Sequence, residues 1–180
     1  MSEKVVGLDV SLTTIGWAII ETGGRGPLVD SGYLRLDQQR PDEYDNFDLM
    51  GIFIHSLWPT LSEGQWFAVE DMMGYGQASG KLAQRAELVG MIKQHCWWHC
   101  GYENVYGFHP STARKLALGR GTTPHHYDGP KEWVLSEVAD RYDITWTKTR
   151  YDNIRSQHED EADAIVVAAA LRRQILQGGV

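Results

Sequence analysis

The chain has 180 residues and carries 24 acidic against 17 basic side chains, which gives a formal net charge of −7. Apolar residues make up 42% of it and charged residues 23%, a composition that excludes disordered and low-complexity classes. No apolar run approaches the roughly 18 residues that span a membrane. The N-terminus also lacks a secretory signal layout, so we expect a cytoplasmic protein without membrane contact.

The first third of the chain predicts a three-stranded meander. Residues 4–10 are rich in β-formers and almost wholly apolar, which is typical of a buried strand. A polar turn follows, and residues 16–20 resume a strand. The glycine-rich loop at residues 22–27 then leads to a third strand over residues 28–36.

The rest of the chain predicts helices that alternate with short strands. Helices are expected at residues 42–57, 79–100, 110–118, 130–142 and 159–177. Strands are expected at residues 66–70, 104–108 and, briefly, 144–147. Neither an internal repeat nor a linker divides the sequence, so we expect one α/β domain over residues 1–180, with a mixed sheet flanked by helices.

Four carboxylates stand out by their positions. Asp9 interrupts an apolar strand and Glu70 ends another, where an ionised side chain is costly unless it is paired or bound to a metal. Asp160 and Asp163 are three residues apart, so both project from one face of the last helix. The small residues that follow them allow this helix to approach the sheet closely. The pattern therefore predicts that the two aspartates lie over the strand carboxylates.

Such a cluster favours metal binding, because four neighbouring carboxylates cannot all ionise without a cation between them. Hard oxygen ligands favour Mg²⁺ or Mn²⁺ over zinc. A cluster of this kind can hold two ions about 3.5–4 Å apart, the arrangement that hydrolyses phosphodiesters. For any one acid alone, a capping or solvated role is the better interpretation, but the four together favour catalysis.

Several segments resemble a known family. Residues 7–18 (Gly-Leu-Asp-Val-Ser-Leu-Thr-Thr-Ile-Gly-Trp-Ala) are similar to the opening of RuvC-like Holliday junction resolvases, particularly the bacteriophage-type members, within the RNase H-like superfamily. Glu70 resembles the second acid of that family, and residues 160–164 resemble its C-terminal Asp-x-x-Asp-Ala. Residues 82–85 are similar to its segment on the helix after the second acid.

The resemblance extends through the basic residues that follow. Residues 110–114, the Gly-Arg-Gly at 119–121 and Lys131 match a Pro-Ser-x-Val-Lys stretch, a Gly-x-Gly loop and a downstream lysine of the family. Arg114 stands at the usual lysine position and Lys115 lies beside it, while the loop between residues 121 and 131 looks enlarged. Arg114, Lys115 and Lys131 are therefore the alternatives for contact with the scissile phosphate.

The resemblance implies an RNase H-like mixed five-stranded sheet and a metal-dependent endonuclease. Asp9, Glu70, Asp160 and Asp163 would hold two Mg²⁺ ions, or Mn²⁺ in their place. A homodimer would nick opposing strands of a four-way DNA junction symmetrically, in a bacterium or a phage-infected cell. A loop residue would stack at the opened junction, for which Met73 and Tyr75 are the candidates; stacking suits Tyr75, and structural packing is the alternative.

Three other functions remain open. A nuclease of the same fold could act on flaps, forks or RNA–DNA hybrids, because a fold does not determine its substrate. An actin-like ATPase fragment also begins with Asp-x-Ser/Gly-x-Thr, but the sequence has no second phosphate motif. A non-catalytic DNA-binding relative would not need the intact acid set.

Charge distribution predicts where DNA binds. Residues 72–127 hold six basic against two acidic side chains, whereas residues 37–71 hold one basic against eight acidic ones. We therefore expect the DNA face between residues 72 and 131.

Two histidine-containing segments allow more than one interpretation. Residues 95–100 contain two histidines and two cysteines, which suggests either a zinc site or, by preference, a packed aromatic helix face or part of a dimer interface. His158 would either cap a helix, lie in solvent or protonate the leaving group.

Overall fold

The predicted N-terminal meander is present as three antiparallel strands, β1 (Lys4–Val10), β2 (Thr14–Glu21) and β3 (Leu28–Arg35). The register of β1 and β2 places Asp9 opposite Gly16. The molecule is described by a computed structural model that covers residues 2–36, 45–71, 80–148 and 157–180.

Two further strands extend the sheet on the other side of β1. Strands β4 (Trp66–Glu70) and β5 (Val105–Phe108) pair in parallel, which gives the order β3-β2-β1-β4-β5. The predicted mixed five-stranded sheet is therefore confirmed. Because β1 and β4 are parallel neighbours, with Leu8 opposite Val69, the next residue of each strand, Asp9 and Glu70, lies at the same edge.

Helices cover both faces of the sheet. They are α1 (Asn46–Ile52), a π-helical turn (Phe53–Leu57), α2 (Trp58–Leu61), α3 (Gly80–Cys100), α4 (Pro110–Leu118), α5 (Pro130–Tyr142) and α6 (Gln157–Leu176). The helices α1 to α3 enclose one apolar core against the sheet, and α4 to α6 enclose a second core on the opposite face. Among these helices of the described ranges, none combines the length and the hydropathy needed to cross a bilayer.

Two glycines bring α6 into backbone contact with the sheet. A Cβ added at Gly7 would lie 2.1 Å from the carbonyl oxygen of Ala164, and one added at Gly16 would lie 2.0 Å from that of Asp160. Any side chain at either position would push the helix away. Glycine at these two positions therefore sets how close the acidic first turn of α6 lies to β1.

Two predicted elements differ in the structure. The helix predicted to end at residue 57 is followed directly by α2. Pro59 is tolerated there because it lies in the first turn of α2, where no amide hydrogen is required. The predicted start of the same helix, residues 42–44, lies outside the described residues. The strand predicted at residues 144–147 is wrong: Trp146 is buried in the core and its indole Nε1 donates to the carbonyl oxygen of Leu135 at 3.0 Å.

Candidate metal-dependent active site

Three of the four predicted acids meet at the carboxyl edge of β1 and β4. Asp9, Glu70 and Asp163 each offer one carboxylate oxygen, and these three oxygens lie within 4.8 Å of one another. Asp9 and Glu70 are 6% and 7% exposed. The alternation of the strands explains their direction, because both side chains point to the face that α6 covers.

Burial and mutual repulsion raise the pKa of each of these three acids. Burial, with Glu70 and Asp163 beside it, raises the pKa of Asp9 well above its ordinary value, and Arg85 opposes this. Burial and the charge of Asp163 raise the pKa of Glu70 to about 7. Burial likewise raises the pKa of Asp163 to about 6, against the opposing charge of Arg114. A cation among the three oxygens would relieve this repulsion.

The fourth acid, Asp160, stands beside this group rather than within it. Burial raises its pKa, Lys131 opposes that effect, and a hydrogen bond from the Thr14 hydroxyl lowers it further. Its negative charge in turn raises the pKa of Asp9, Glu70 and Asp163. The first turn of α6 thus adds one acid to the three-oxygen group and a second acid at its rim.

Sequence reasoning missed Arg85 as a site residue. Its Nη2 lies 3.2 Å from Oδ1 of Asp9, and its Nε donates to the carbonyl oxygen of Val10. The side chain starts on α3, in the helical layer of the opposite face, and reaches the site around the end of β1. Its only sequence signal was its position in the segment 82–85 that resembles the family, which does not indicate contact with Asp9.

Two of the three predicted basic residues line the same cleft. Arg114, in the middle of α4, and Lys131, at the start of α5, flank Glu70 and Asp163. The Nε of Arg114 donates to the carbonyl oxygen of Pro110 at 3.1 Å, which holds the guanidinium beside the acids. The ammonium of Lys131 is bonded to Glu159. Lys115 is exposed and is not among the residues that line this cleft.

The site fits a divalent ion by the chemistry of its donors. All of them are carboxylate oxygens, which suits Mg²⁺, Mn²⁺ or Ca²⁺. Within the described ranges, no other group of three or more His, Cys, Asp or Glu side chains converges in this way. The zinc interpretation of residues 95–100 has no support, since the rings of His95 and His99 pack edge-on against Trp58, with centroids 4.3 and 5.0 Å away.

The sequence also singles out Met73, Tyr75 and His158. Met73 and Tyr75, the candidates for stacking at the junction, lie outside the described residues. His158 neither caps the helix nor lies free in solvent, because both of its ring nitrogens are in hydrogen bonds, to Glu161 and Thr147.

Comparison with known proteins assigns the fold. No protein-family model matches the chain, and no curated protein matches it in sequence. Among solved structures it resembles Thermus thermophilus RuvC, with 19% identity, a TM-score of 0.70 and coverage of 98% of this chain and 97% of that one. It also resembles T. thermophilus RuvC in complex with a Holliday junction substrate, at 17% identity, a TM-score of 0.69 and the same coverage.

A third neighbour comes from a different organism. The yeast mitochondrial Holliday junction resolvase Ydc2 shares 14% identity and a TM-score of 0.62, over 98% of this chain and 80% of that one. These neighbours share the mixed five-stranded sheet flanked by helices. The chain has the RNase H-like α/β fold of RuvC-type Holliday junction resolvases.

Proposed function

We propose that this chain is a metal-dependent endonuclease that resolves four-way DNA junctions by paired nicks, in a bacterium or a phage-infected cell. The observation that supports this most is the convergence of Asp9, Glu70 and Asp163 at the sheet edge, beside Arg114 and Lys131. The fold is that of proteins which bind or resolve Holliday junctions. We take residues 1–180 as one nuclease domain.

The proposed chemistry is phosphodiester hydrolysis. Two Mg²⁺ ions held by Asp9, Glu70, Asp160 and Asp163 would supply the Lewis acidity that activates water and stabilises the leaving oxygen, with Mn²⁺ able to replace them. Arg114 and Lys131 would neutralise the charge that develops on the phosphate. Because Glu159 bonds the ammonium of Lys131, the phosphate would have to compete with this carboxylate for it.

The proposed unit is a homodimer, since symmetric nicking needs two active sites. The outer face of α3 offers a surface for it: Ala83, Ala86, Gly90 and Trp97 are exposed at helical spacing. A Cβ added at Gly90 would meet no atom within 4 Å, so this face is open in the single chain. Close packing of two such helices would bury the small residues and the indole.

A substrate panel tests the proposal. Synthetic four-way junctions, flaps, forks and linear duplex of shared sequence are incubated with the protein and Mg²⁺, and Asp9→Asn serves as the inactive control. We expect symmetric nicks in the junction alone, and junction binding without cleavage by Asp9→Asn. Preferred cleavage of flaps or forks would show that the substrate is a different branched DNA. Binding without cleavage by the parent protein would identify a non-catalytic DNA-binding protein.

A further inference from the structure

Glu161 is a buried acid whose two carboxylate oxygens are both hydrogen-bonded, although it does not belong to the three-oxygen group. The residue is 8% exposed. Its Oε1 accepts a hydrogen bond from Oγ of Ser31 at 2.7 Å, and its Oε2 lies 2.8 Å from Nδ1 of His158. A leucine would fill the same volume without the cost of desolvating a carboxylate, so the acid needs a reason beyond packing.

His158 continues the chain of hydrogen bonds. Its Nε2 lies 2.5 Å from Oγ1 of Thr147, in the segment after α5. The ring is held between two aromatic neighbours, Tyr33 at a centroid distance of 5.7 Å and Trp146 at 5.3 Å. One neutral tautomer satisfies both nitrogens, with Nδ1–H donating to Glu161 and Nε2 accepting from Thr147. The chain Ser31–Glu161–His158–Thr147, here named the clamp, therefore ties the first turn of α6 to β3 and to the segment after α5.

The clamp and the acidic group use opposite sides of the same helical turn. Residues 158 and 161 are three apart and share one side, and residues 160 and 163 are three apart and share another. A step of two residues rotates the side chain by about 200° on a helix. The side that faces β3 is thus fixed by hydrogen bonds, while the other side presents Asp160 and Asp163 to the site.

The first turn of α6 also needs such an anchor. Asp163 belongs to the three-oxygen group with Asp9 and Glu70, and Asp160 stands beside it. Like charges at this distance push the turn away from the sheet until a cation binds. The glycine contact at Gly16 limits only how close the turn can approach. It does not hold the turn in place against repulsion.

We propose that Glu161 and His158 are positioning residues, which fix the rotation and height of the first turn of α6 so that its aspartates meet Asp9 and Glu70 around a divalent ion. This inference rests on the metal-binding part of the proposed function. Groups that orient metal ligands through a direct hydrogen bond typically contribute about 10- to 100-fold to metal affinity. The clamp acts on the ligands through the backbone of α6, so we expect an effect at the lower end of this range.

The test measures Mn²⁺ affinity of the DNA-free protein by isothermal titration. Glu161→Leu removes both bonds of the acid, and we expect affinity to fall about tenfold. Glu161→Gln should keep the Mn²⁺ affinity of the parent protein. Its amide nitrogen can donate to Nδ1 of His158 when Nε2 carries the proton, and its amide oxygen can still accept from Ser31. Ser31→Ala and Thr147→Val each remove one end of the clamp and serve where Glu161→Leu does not fold.

The matched control loosens the same helix far from the acids. Arg172 anchors the other half of α6 through bonds to the carbonyl oxygens of Glu21 and Gly24, at 3.0 and 2.8 Å. Arg172→Met should lower the melting temperature without changing Mn²⁺ affinity. Clamp variants that weaken Mn²⁺ binding no more than Arg172→Met, or a Glu161→Gln variant as weak as Glu161→Leu, would overturn the proposal.

The outcomes also separate this proposal from the proposed nuclease function. If the protein cuts no junction but its clamp variants bind Mn²⁺ more weakly than the parent does, the positioning role of the clamp is supported. That result refutes only the nuclease function. A parent protein that binds no Mn²⁺ refutes both the metal site and the clamp.

Discussion

Glu70 and Asp163 make the stability of the metal-free protein depend on pH. Burial and neighbouring charge raise the pKa of Glu70 from its ordinary 4.5 to about 7. The folded state therefore keeps a proton that the unfolded chain releases. The stability that this proton contributes is fully present below pH 4.5 and is lost as pH rises through about 7. Asp163, with a pKa raised to about 6, acts in the same direction.

Glu70→Gln should remove the part of this pH-dependent loss of stability that comes from Glu70. Between pH 4.5 and 8, the free energy of unfolding of the parent protein in EDTA should fall by about 3 kcal/mol relative to the variant. Urea unfolding at a series of pH values measures this difference. At pH 8, Mg²⁺ should raise the melting temperature of the parent more than that of the variant, because an ion replaces the lost protons. Parallel pH profiles of the two proteins would contradict the assignment.

Arg114 and Lys115 are sequence neighbours with different expected roles. Arg114 lies in the cleft beside Glu70 and Asp163, whereas Lys115 is exposed outside it. Arg114→Gln should slow single-turnover cleavage of a saturating junction by about 100-fold, because a preorganised charge at the phosphate is lost. Lys115→Gln should leave that rate unchanged and lower the salt slope of binding by about one. Equal loss of rate in both variants would place the two side chains in the same role.

The acids were predictable because each breaks a local pattern, whereas their cationic partner was not. Asp9 and Glu70 interrupt or end apolar strands, and Asp163 faces the sheet from an alanine-rich helix. Arg85 breaks no pattern on α3, and its contact with Asp9 depends on how that helix crosses the end of β1. The roles of the acids in metal binding and catalysis, and of Met73 and Tyr75 in stacking, stay predictions.

The position of α6 depends on glycines in the strands beneath it. Gly16→Ala would bring a Cβ to 2.0 Å from the Asp160 carbonyl oxygen, so the acidic turn must move. We expect a loss of about 1–3 kcal/mol in stability and weaker Mn²⁺ binding by the same variant. Chemical unfolding and titration measure the two effects.

Gly51→Ala is the control for this substitution. Gly51 lies within α1 and a Cβ there meets no atom within 4 Å, so the variant should gain about 0.5–1 kcal/mol and keep its ion affinity. If Gly16→Ala binds Mn²⁺ as the parent does, the close approach of α6 does not set the geometry of the site.

Most helices and strands were predicted well, including the short strands at residues 66–70 and 104–108, whereas the strand at residues 144–147 was predicted wrongly. The alternation of the meander and the helical periods after residue 79 correspond to the observed elements within one or two residues. Residues 144–147 are too few to show a period, and their two apolar side chains, Ile144 and Trp146, pack against the core from an irregular segment. The continuation through Pro59 was missed because proline also ends helices.

Charge counts along the chain overestimate the basic surface of the folded protein. Of the six basic residues between 72 and 127, Arg85 pairs with Asp9, and Lys93 pairs with Asp71 at 2.5 Å. Both side chains are only 18% exposed, and each neutralises an acid. The prediction that DNA binds between residues 72 and 131 therefore depends most on the remaining basic residues, Lys81, Arg114, Lys115, Arg120 and Lys131.

The outer face of α3 decides the oligomeric state if the homodimer proposal is correct. Gly90→Glu would place a charge in the centre of this face, where the single chain leaves open space. We expect the parent to sediment as a dimer and the variant as a monomer in analytical ultracentrifugation. Gln177→Glu, an exposed substitution near the end of α6, should stay dimeric. A monomeric parent, or a dimeric Gly90→Glu variant, would refute this interface.

Because α6 follows the other helices and strands in the sequence, the ribosome synthesises it after them. This helix covers the face of β1, β2 and β4 and supplies Asp163, while the rest of the three-oxygen group comes from residues 9 and 70. A nascent chain that has reached residue 148 can pair its strands, but it leaves Val5, Ala18 and Ala68 uncovered by α6. Such a chain presents an apolar sheet face to chaperones and holds an incomplete ion site. Under the proposed function, the growing polypeptide would gain its nuclease activity only when the helix that completes its core has been made.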